Sequence, residues 1–357
     1  MRIFCLLGNG RAGIDFFQTL FDKHPEVSQM PGIFFFDEFW EKTKNFNKKK
    51  IAEKFIDDYR RFFNSKNYVI ERHNELGKKK NEYFIVSKKI FKEKFIKFCK
   101  KPQNQADVFL NLHLAYSAAS GENIRKKKCI ILNIHNFENL FKIRSLDFEI
   151  FLTLRNPISS LNSSTVHWLN YSRKNVNLWW LNYQINRLAN LINNCKNLDK
   201  KIHVARLDLI HTKNVKIMKK VSKIMKIKYH SSMKKSTYHG KLWWGDKLSN
   251  KNLSGVNKNF EDRYDPKNFF DKDIRYLENS LHFYYTNYKF KRILKKNKLR
   301  SIYKFLPLKL ELIVWKNLLL NFDFLQIILI PYYMFKRIKI LKIKLKKTYY
   351  PKLIYND

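Results

Sequence analysis

Glycine and proline are scarce in this chain, nine and eight among 357 residues. That excludes collagen-like and linker-rich architectures and leaves few turns built on unusual backbone conformations. Cysteine is scarcer still: Cys5, Cys99, Cys129 and Cys195 are scattered, with no C-x-x-C and no metal-like pairing with histidine. A disulfide scaffold and a zinc module are thereby excluded, free core thiols in a reducing compartment are expected, and no metal is expected. Acidic residues are outnumbered, 30 against 72 lysines and arginines, for a formal charge of +42. That field attracts nucleotides, polyanions and anionic membrane surfaces. Zinc-finger spacing, an RNP-type aromatic strand and heptads below a basic region are all missing, so no specific nucleic-acid partner is expected. There is also no clean apolar run of membrane-spanning length. Residues 308–330 are interrupted by Lys309, Glu311, Lys316, Asn321, Asp323 and Gln326, too polar for a comfortable span. No signal peptide precedes the first apolar run, so the expected location is cytoplasmic.

What the chain does have begins at once. Residues 3–7 are a short apolar run that reads as a strand buried on both faces. Gly8-Asn9-Gly10-Arg11-Ala12-Gly13 follows, a tight glycine turn carrying a cation. From Ile14 the apolar residues take helical spacing, Phe17 with Phe21 and Phe16 with Leu20, and Pro25 is expected to stop that helix. A strand, a glycine loop and a helix N-terminus form an anion-binding device, because unpaired N–H groups and the helix dipole meet there. The G-K-[ST] ending of a nucleoside triphosphatase is absent.

Further on, residues 128–135 read as a strand ending at His135, residues 137–143 as a short helix, and residues 148–154 as a second buried strand. Arg155-Asn156-Pro157 sits at the tip of that strand, with Pro157 suited to the first position of a helix that carries Ser163 and Ser164. Residues 176–195 form an amphipathic helix with Trp179 or Trp180, Tyr183, Leu188, Ile192 and Cys195 along one side. Strands alternating with helices predict an α/β fold with a central parallel sheet. Residues 41–125 read as a lysine-rich helical excursion, a usual place for a lid or substrate wall; His73 and His113 within it are expected to be packing residues.

Two motifs resemble those of sulfotransferases that use 3′-phosphoadenosine-5′-phosphosulfate. Gly8, Arg11, Ala12 and Gly13 match the family's first loop, G-x-x-[RK]-[SA]-G-T-T, and Leu20-Phe21-Asp22-Lys23-His24-Pro25-Glu26-Val27 matches the segment that commonly follows it. Arg155 and Ser163 match R-[DN]-P-x-x-x-x-x-S in identity and spacing. Asp208-Leu209 and the segment Thr237-Tyr238-His239-Gly240-Lys241-Leu242-Trp243-Trp244-Gly245-Asp246 resemble later family segments, the second expected to fold back near the nucleotide.

The resemblance covers roughly residues 1–290 and implies a three-layer α/β/α, P-loop-like sulfotransferase fold. It implies 3′-phosphoadenosine-5′-phosphosulfate as co-substrate and a hydroxyl of a carbohydrate, lipid or small molecule as acceptor. The loop Gly8, Asn9, Gly10, Arg11, Ala12 and Gly13 would hold the 5′ end, with Arg11 neutralising charge on the bridging oxygen, and Arg155 and Ser163 would hold the 3′-phosphate. His135 stands where one branch of the family has its catalytic base, and Glu38 stands near the glutamate that other branches use; His135 is preferred. One departure counts against activity: the family's two threonines are Ile14 and Asp15 here. A carboxylate about 4 Å from a phosphate costs about 4 kcal/mol at an effective dielectric of 20, roughly three decades in binding or rate. A catalytically silent nucleotide-binding protein on the same fold is therefore the second reading, and a basic RNA- or membrane-surface-binding protein the third.

Beyond residue 290 the resemblance ends, leaving residues 291–357 as a basic, hydrophobic C-terminal extension. Residues 332–347 mix Ile and Leu with Lys336, Arg337, Lys339, Lys342, Lys344, Lys346 and Lys347. That pattern suits peripheral contact with anionic lipid, and it equally suits a C-terminal helical cap.

Overall fold

A computed structural model of the protein describes residues 1–135, 137–172, 176–248, 255–295, 301–342 and 350–355. Lys344, Lys346 and Lys347 lie outside the described residues. The centre is a sheet of β1 (Arg2–Gly8), β2 (Val27–Gln29), β3 (Cys129–Asn133), β4 (Phe148–Leu154) and β5 (Ile202–Arg206). The order is β2-β3-β1-β4-β5 and every pairing is parallel. These strands are apolar at nearly every position because both faces are covered: Cys5 and Leu7 enter one core, Phe4 and Leu6 the other. At the β5 edge the chain's last described segment returns, with Ile354 N–H donating to the Val204 carbonyl at 2.8 Å.

Following β1 is α1 (Ile14–Thr19), and the excursion then runs through α2 (Phe36–Thr43), α3 (Lys48–Asp58), α4 (Arg60–Phe63), α5 (Lys88–Phe98) and α6 (Gln105–Ala119). Around the next strands lie α7 (Glu138–Lys142), α8 (Pro157–Tyr171), α9 (Leu178–Lys196), α10 (Leu207–Thr212) and α11 (Asn214–Met225). A small antiparallel hairpin, β6 (Thr237–Tyr238) and β7 (Lys241–Leu242), precedes α12 (Asp271–Ser280), α13 (His282–Thr286), α14 (Lys309–Leu320), α15 (Phe324–Ile328) and α16 (Ile330–Lys342). Helices α1, α10 and α11 cover one face of the sheet through Phe17, Ile210 and Met218. Helices α3, α5, α6, α8 and α9 cover the other through Phe55, Phe91, Phe109, Ile158 and Leu188. The fold is thus α/β in three layers.

Neighbouring strands β1 and β4 send their helices to opposite faces, α1 to one and α8 to the other. A crevice opens at their carboxyl ends for that reason, which is where open α/β sheets bind ligands. Helix α8 starts as the sequence predicts: Asn156 caps it by accepting from the Ile158 N–H at 3.0 Å, and Pro157 fills the first position.

Two local expectations need correction. Helix α1 ends at Thr19, well before Pro25, because Leu20 and Phe21 tighten onto carbonyls three residues back and Lys23 turns the chain at φ 54°. Strand β3 ends at Asn133, leaving His135 in the loop beyond it. On α9, Leu188, Ile192 and Cys195 face the core as expected, together with Leu181 and Ile185; of the two tryptophans Trp180 packs against that core, while Trp179 is 39% exposed. His73 and His113 are buried packing residues whose imidazoles burial pushes down to about 3. The four cysteines are free and buried.

The C-terminal helices are fastened by a charge. Glu311 of α14 and Arg337 of α16 are both fully buried and meet at 2.8 Å. Glu311 also accepts from the Tyr333 hydroxyl at 2.7 Å, and Arg337 donates to the Lys304 carbonyl at 2.6 Å. Replacing one partner strands the other charge without water. Arg337→Leu is therefore expected to lower unfolding stability by about 3–5 kcal/mol in urea titration. The double variant with Glu311→Leu should recover most of that loss; a single-variant cost below about 1 kcal/mol would contradict the clamp.

Candidate functional site

The loop after β1 is shaped by two glycines in the left-handed region, Gly10 at φ 73° and Gly13 at φ 74°. A Cβ on Gly10 would stand 2.8 Å from the Ser164 hydroxyl and 2.9 Å from that of Ser160, and one on Gly13 would collide with Leu207. Asn9 is fully buried and binds the tip of β4 as a strand would: its Oδ1 accepts from the Arg155 N–H at 3.0 Å and its Nδ2 donates to the Arg155 carbonyl at 3.1 Å. Arg187 of α9 ties β1 to the loop after β3, donating to the carbonyls of Gly8 at 2.7 Å and His135 at 2.8 Å.

Above this frame lies a cleft of about 690 Å³. Arg11, Gly13 and Asp15 line it from the first loop and helix, and Arg155 and Ser163 from the tip of β4 and from α8. The two halves touch. Arg11 Nε donates to Ser163 Oγ at 3.2 Å, and Arg155 reaches the Arg11 carbonyl at 3.3 Å. Ser163 in turn lies 3.2 Å from His167, whose imidazole burial pushes down to about 4, with Arg11 and Arg155 adding to the effect. Three parallel rings form part of one wall: Phe16 and His211 stack at 4.0 Å, His211 and Phe260 at 4.4 Å. Trp243, Gly245 and Asp246 also reach the wall.

Both cleft arginines face a carboxylate supplied late in the chain. Arg11 meets Asp246 at 2.9 Å, and Arg155 meets Asp262 at 2.7 Å while the other Asp262 oxygen accepts from the Asn156 N–H at 2.9 Å. The side-chain donors suit phosphate oxygens, two guanidinium forks and a hydroxyl, in a volume typical of a ligand site. Among the described residues no group of three or more His, Cys, Asp or Glu is placed to hold a metal ion.

Asp15 does not project as a bare charge. It accepts from Asn133 Nδ2 at 2.8 Å and lies 3.3 Å from His135 Nε2. Burial alone would raise its pKa, but the His135 charge, the hydrogen bonds from His135 and Asn133 and the Arg11 charge together bring it down to about 2. Gly8, Asn9, Gly10 and Ala12 shape the loop without being among the lining residues; nor are His135, which lies behind Asp15, or Glu38, exposed on α2. No lining residue comes from residues 41–125. That excursion touches the wall through Glu71, whose backbone carbonyl accepts from the indole of the lining residue Trp243 at 2.6 Å. Burial, with the Asp15 charge adding to it, pushes the Glu71 carboxyl up to about 7, and Tyr68 donates to it at 3.0 Å. No spacing in the sequence signals Glu71, Arg187 or Asp262, since each reaches the site only through the tertiary fold. Asp246 closed a segment already singled out, without a role.

No protein-family model matches the chain, and no curated protein matches its sequence. Among solved structures it is similar to the sulfotransferase domain from the curacin biosynthetic pathway, at 12% identity and a TM-score of 0.40, covering 85% of this chain and 95% of that one. It is also similar to the sulfotransferase domain from the Synechococcus PCC 7002 olefin synthase, at 10% identity and a TM-score of 0.41, covering 72% and 85%. At such identities neither domain's activity transfers to this chain, and the chemistry of the cleft rests on its own residues.

The Asp15 environment has a direct consequence. Its folded pKa of about 2 lies below the ordinary value of 3.8, so it contributes stability above pH 4 that is lost as pH falls from about 4 to 2. Between pH 5 and pH 2 the wild type should lose about 2 kcal/mol more than Asp15→Asn in chemical denaturation. Equal losses in the two proteins would contradict the dyad.

Proposed function

We propose that the chain binds 3′-phosphoadenosine-5′-phosphosulfate in this cleft and transfers its sulfuryl group to a hydroxyl of a carbohydrate, lipid or small-molecule acceptor. The observation that carries the reading is the convergence of Arg11 and Gly13 with Arg155 and Ser163 on one cleft, from motifs far apart in sequence. Arg11 and the backbone around Gly13 would hold the 5′ end, and Arg155 with Ser163 the 3′-phosphate. The co-substrate supplies an activated sulfuryl group on a phosphate leaving group. Arg11 would then neutralise the charge that develops on leaving, in a site already organised for it.

His135 is the proposed base. An ionised Asp15 can only accept, so it fixes the hydrogen on His135 Nε2 and leaves Nδ1 to take the acceptor's proton. Asp246 and Asp262 hold the arginines until phosphate oxygens replace them. One observation favours a second reading, a nucleotide-binding protein without turnover: the carboxylate of Asp15 stands on the cleft wall where the family has a hydroxyl.

Calorimetric titration with 3′-phosphoadenosine-5′-phosphate tests the site, with adenosine 5′-monophosphate as the control. Micromolar binding that requires the 3′-phosphate is expected. Arg155→Ala should weaken it about tenfold to a hundredfold, the loss of one charge-assisted contact, whereas Asp262→Asn should tighten it. Equal affinity for the two nucleotides would contradict the reading, and tight binding without sulfuryl transfer to any acceptor would select the silent protein.

A further inference from the structure

The end of the molecule formed by α14, α15 and α16 is built unlike the rest of its surface. Nine of the 23 large apolar side chains exposed among the described residues fall within 17 consecutive positions, 319–335. Leu325 is 79% exposed, Phe322 76% and Ile328 74%, with Leu320, Phe324 and Phe335 all above 60%. Monomeric proteins rarely leave so concentrated an apolar surface in water without a use for it. This tip is not a frayed tail. The buried Glu311–Arg337 pair fixes α14 against α16 behind it, and Tyr333 and Leu318 sit in the main core.

Charge and hydrogen bonding within the tip say what it faces. From residue 309 to 342 the acids are Glu311 and Asp323 alone. Glu311 is buried against Arg337, and Asp323 caps α15 by accepting from the Gln326 N–H at 3.3 Å and from its side-chain amide at 2.6 Å. The lysines, by contrast, lie at the surface of the same helices. Lys316, Lys339 and Lys342 are exposed, and the Lys336 ammonium lies 4.8 Å from the Tyr332 ring and 5.0 Å from that of Trp179. Aromatic rings and lysines beside an apolar tip are the arrangement that sits at a bilayer surface, rings at headgroup level and ammonium groups on the lipid phosphates. No helix among the described residues is long and apolar enough to cross a membrane, so the tip would enter one leaflet without spanning. A second copy of the chain on the same face would bring the lysines of two such helix pairs together in a molecule of charge +42.

We propose that the α14–α16 tip docks the protein on an anionic lipid bilayer, with Phe322, Leu325 and Ile328 inserted into the leaflet and the surrounding lysines on acidic headgroups. This surface is independent of the cleft and of what the cleft binds.

The test is co-sedimentation of the full chain with vesicles of phosphatidylcholine alone and of phosphatidylcholine mixed with phosphatidylserine. The variant combines Phe322→Ser, Leu325→Ser and Ile328→Ser, which keeps every charge; all three side chains are exposed, so its unfolding temperature should match the wild type. Wild type is expected to bind the anionic vesicles about tenfold more tightly than the neutral ones, and the variant to lose about tenfold or more on the anionic vesicles. Equal binding by variant and wild type would assign the attraction to bulk charge and overturn the proposal. Sedimentation equilibrium provides the other check: a dimer abolished in the variant, without vesicle binding by the wild type, would assign the face to a second copy.

Discussion

One buried asparagine sets the geometry on which the site depends. Asn9 offers both hydrogen-bonding ends of its amide to the backbone of Arg155, repeating across a loop the pairing that β1 and β4 make below it. Its carbonyl is held by the Ser160 hydroxyl, and its amide also reaches the Tyr284 hydroxyl at 3.1 Å. The turn that carries Arg11 and the strand tip that carries Arg155 are thereby one rigid unit, although 144 residues separate the two arginines. Gly10 packs against Ser160 and Ser164 without a side chain, which allows the loop to lie that close to α8. Two cations fixed at one cleft cost less to organise around an anion than two held on independent loops.

That rigidity is balanced by charge. Left alone, two guanidinium groups lining one partly buried cleft would repel each other, and Asp246 and Asp262 offset this by pairing one with each. A dianionic phosphate carries more charge than a carboxylate and presents oxygens in the same fork geometry, which is the basis of the proposed exchange. Asp15 is settled differently. Asn133 and His135 hold its charge from behind, which turns the residue that departs from the threonine pattern into the partner of the candidate base.

Much of this was legible in the sequence, and the limit falls at a physical boundary. The strands were readable because burial on both faces leaves a continuous apolar run, as in residues 148–154, which coincide with β4. The glycine turn and the Arg-Asn-Pro strand tip were readable because each has local backbone requirements. The partners of those motifs were not. Asp262, Glu71 and Arg187 support the residues around the cleft through contacts spanning 107, 172 and 179 residues, and nothing local marks a residue for such a contact. On α9 the apolar spacing marked the inward side, Leu188, Ile192 and Cys195, but did not choose between Trp179 and Trp180: Trp180 packs on the core, whereas Trp179 meets Tyr332 and Lys336 of the C-terminal helices.

The central claim is that the cleft is an anion site whose arginines exchange carboxylates for the phosphates of a nucleotide. The most direct measurement is a crystal structure of the protein grown with 3′-phosphoadenosine-5′-phosphate. The account predicts the 3′-phosphate on Arg155 and Ser163, the 5′-phosphate at Arg11 and Gly13, and Asp262 displaced from Arg155. A nucleotide bound elsewhere, with the Arg155–Asp262 and Arg11–Asp246 pairs intact, would contradict it.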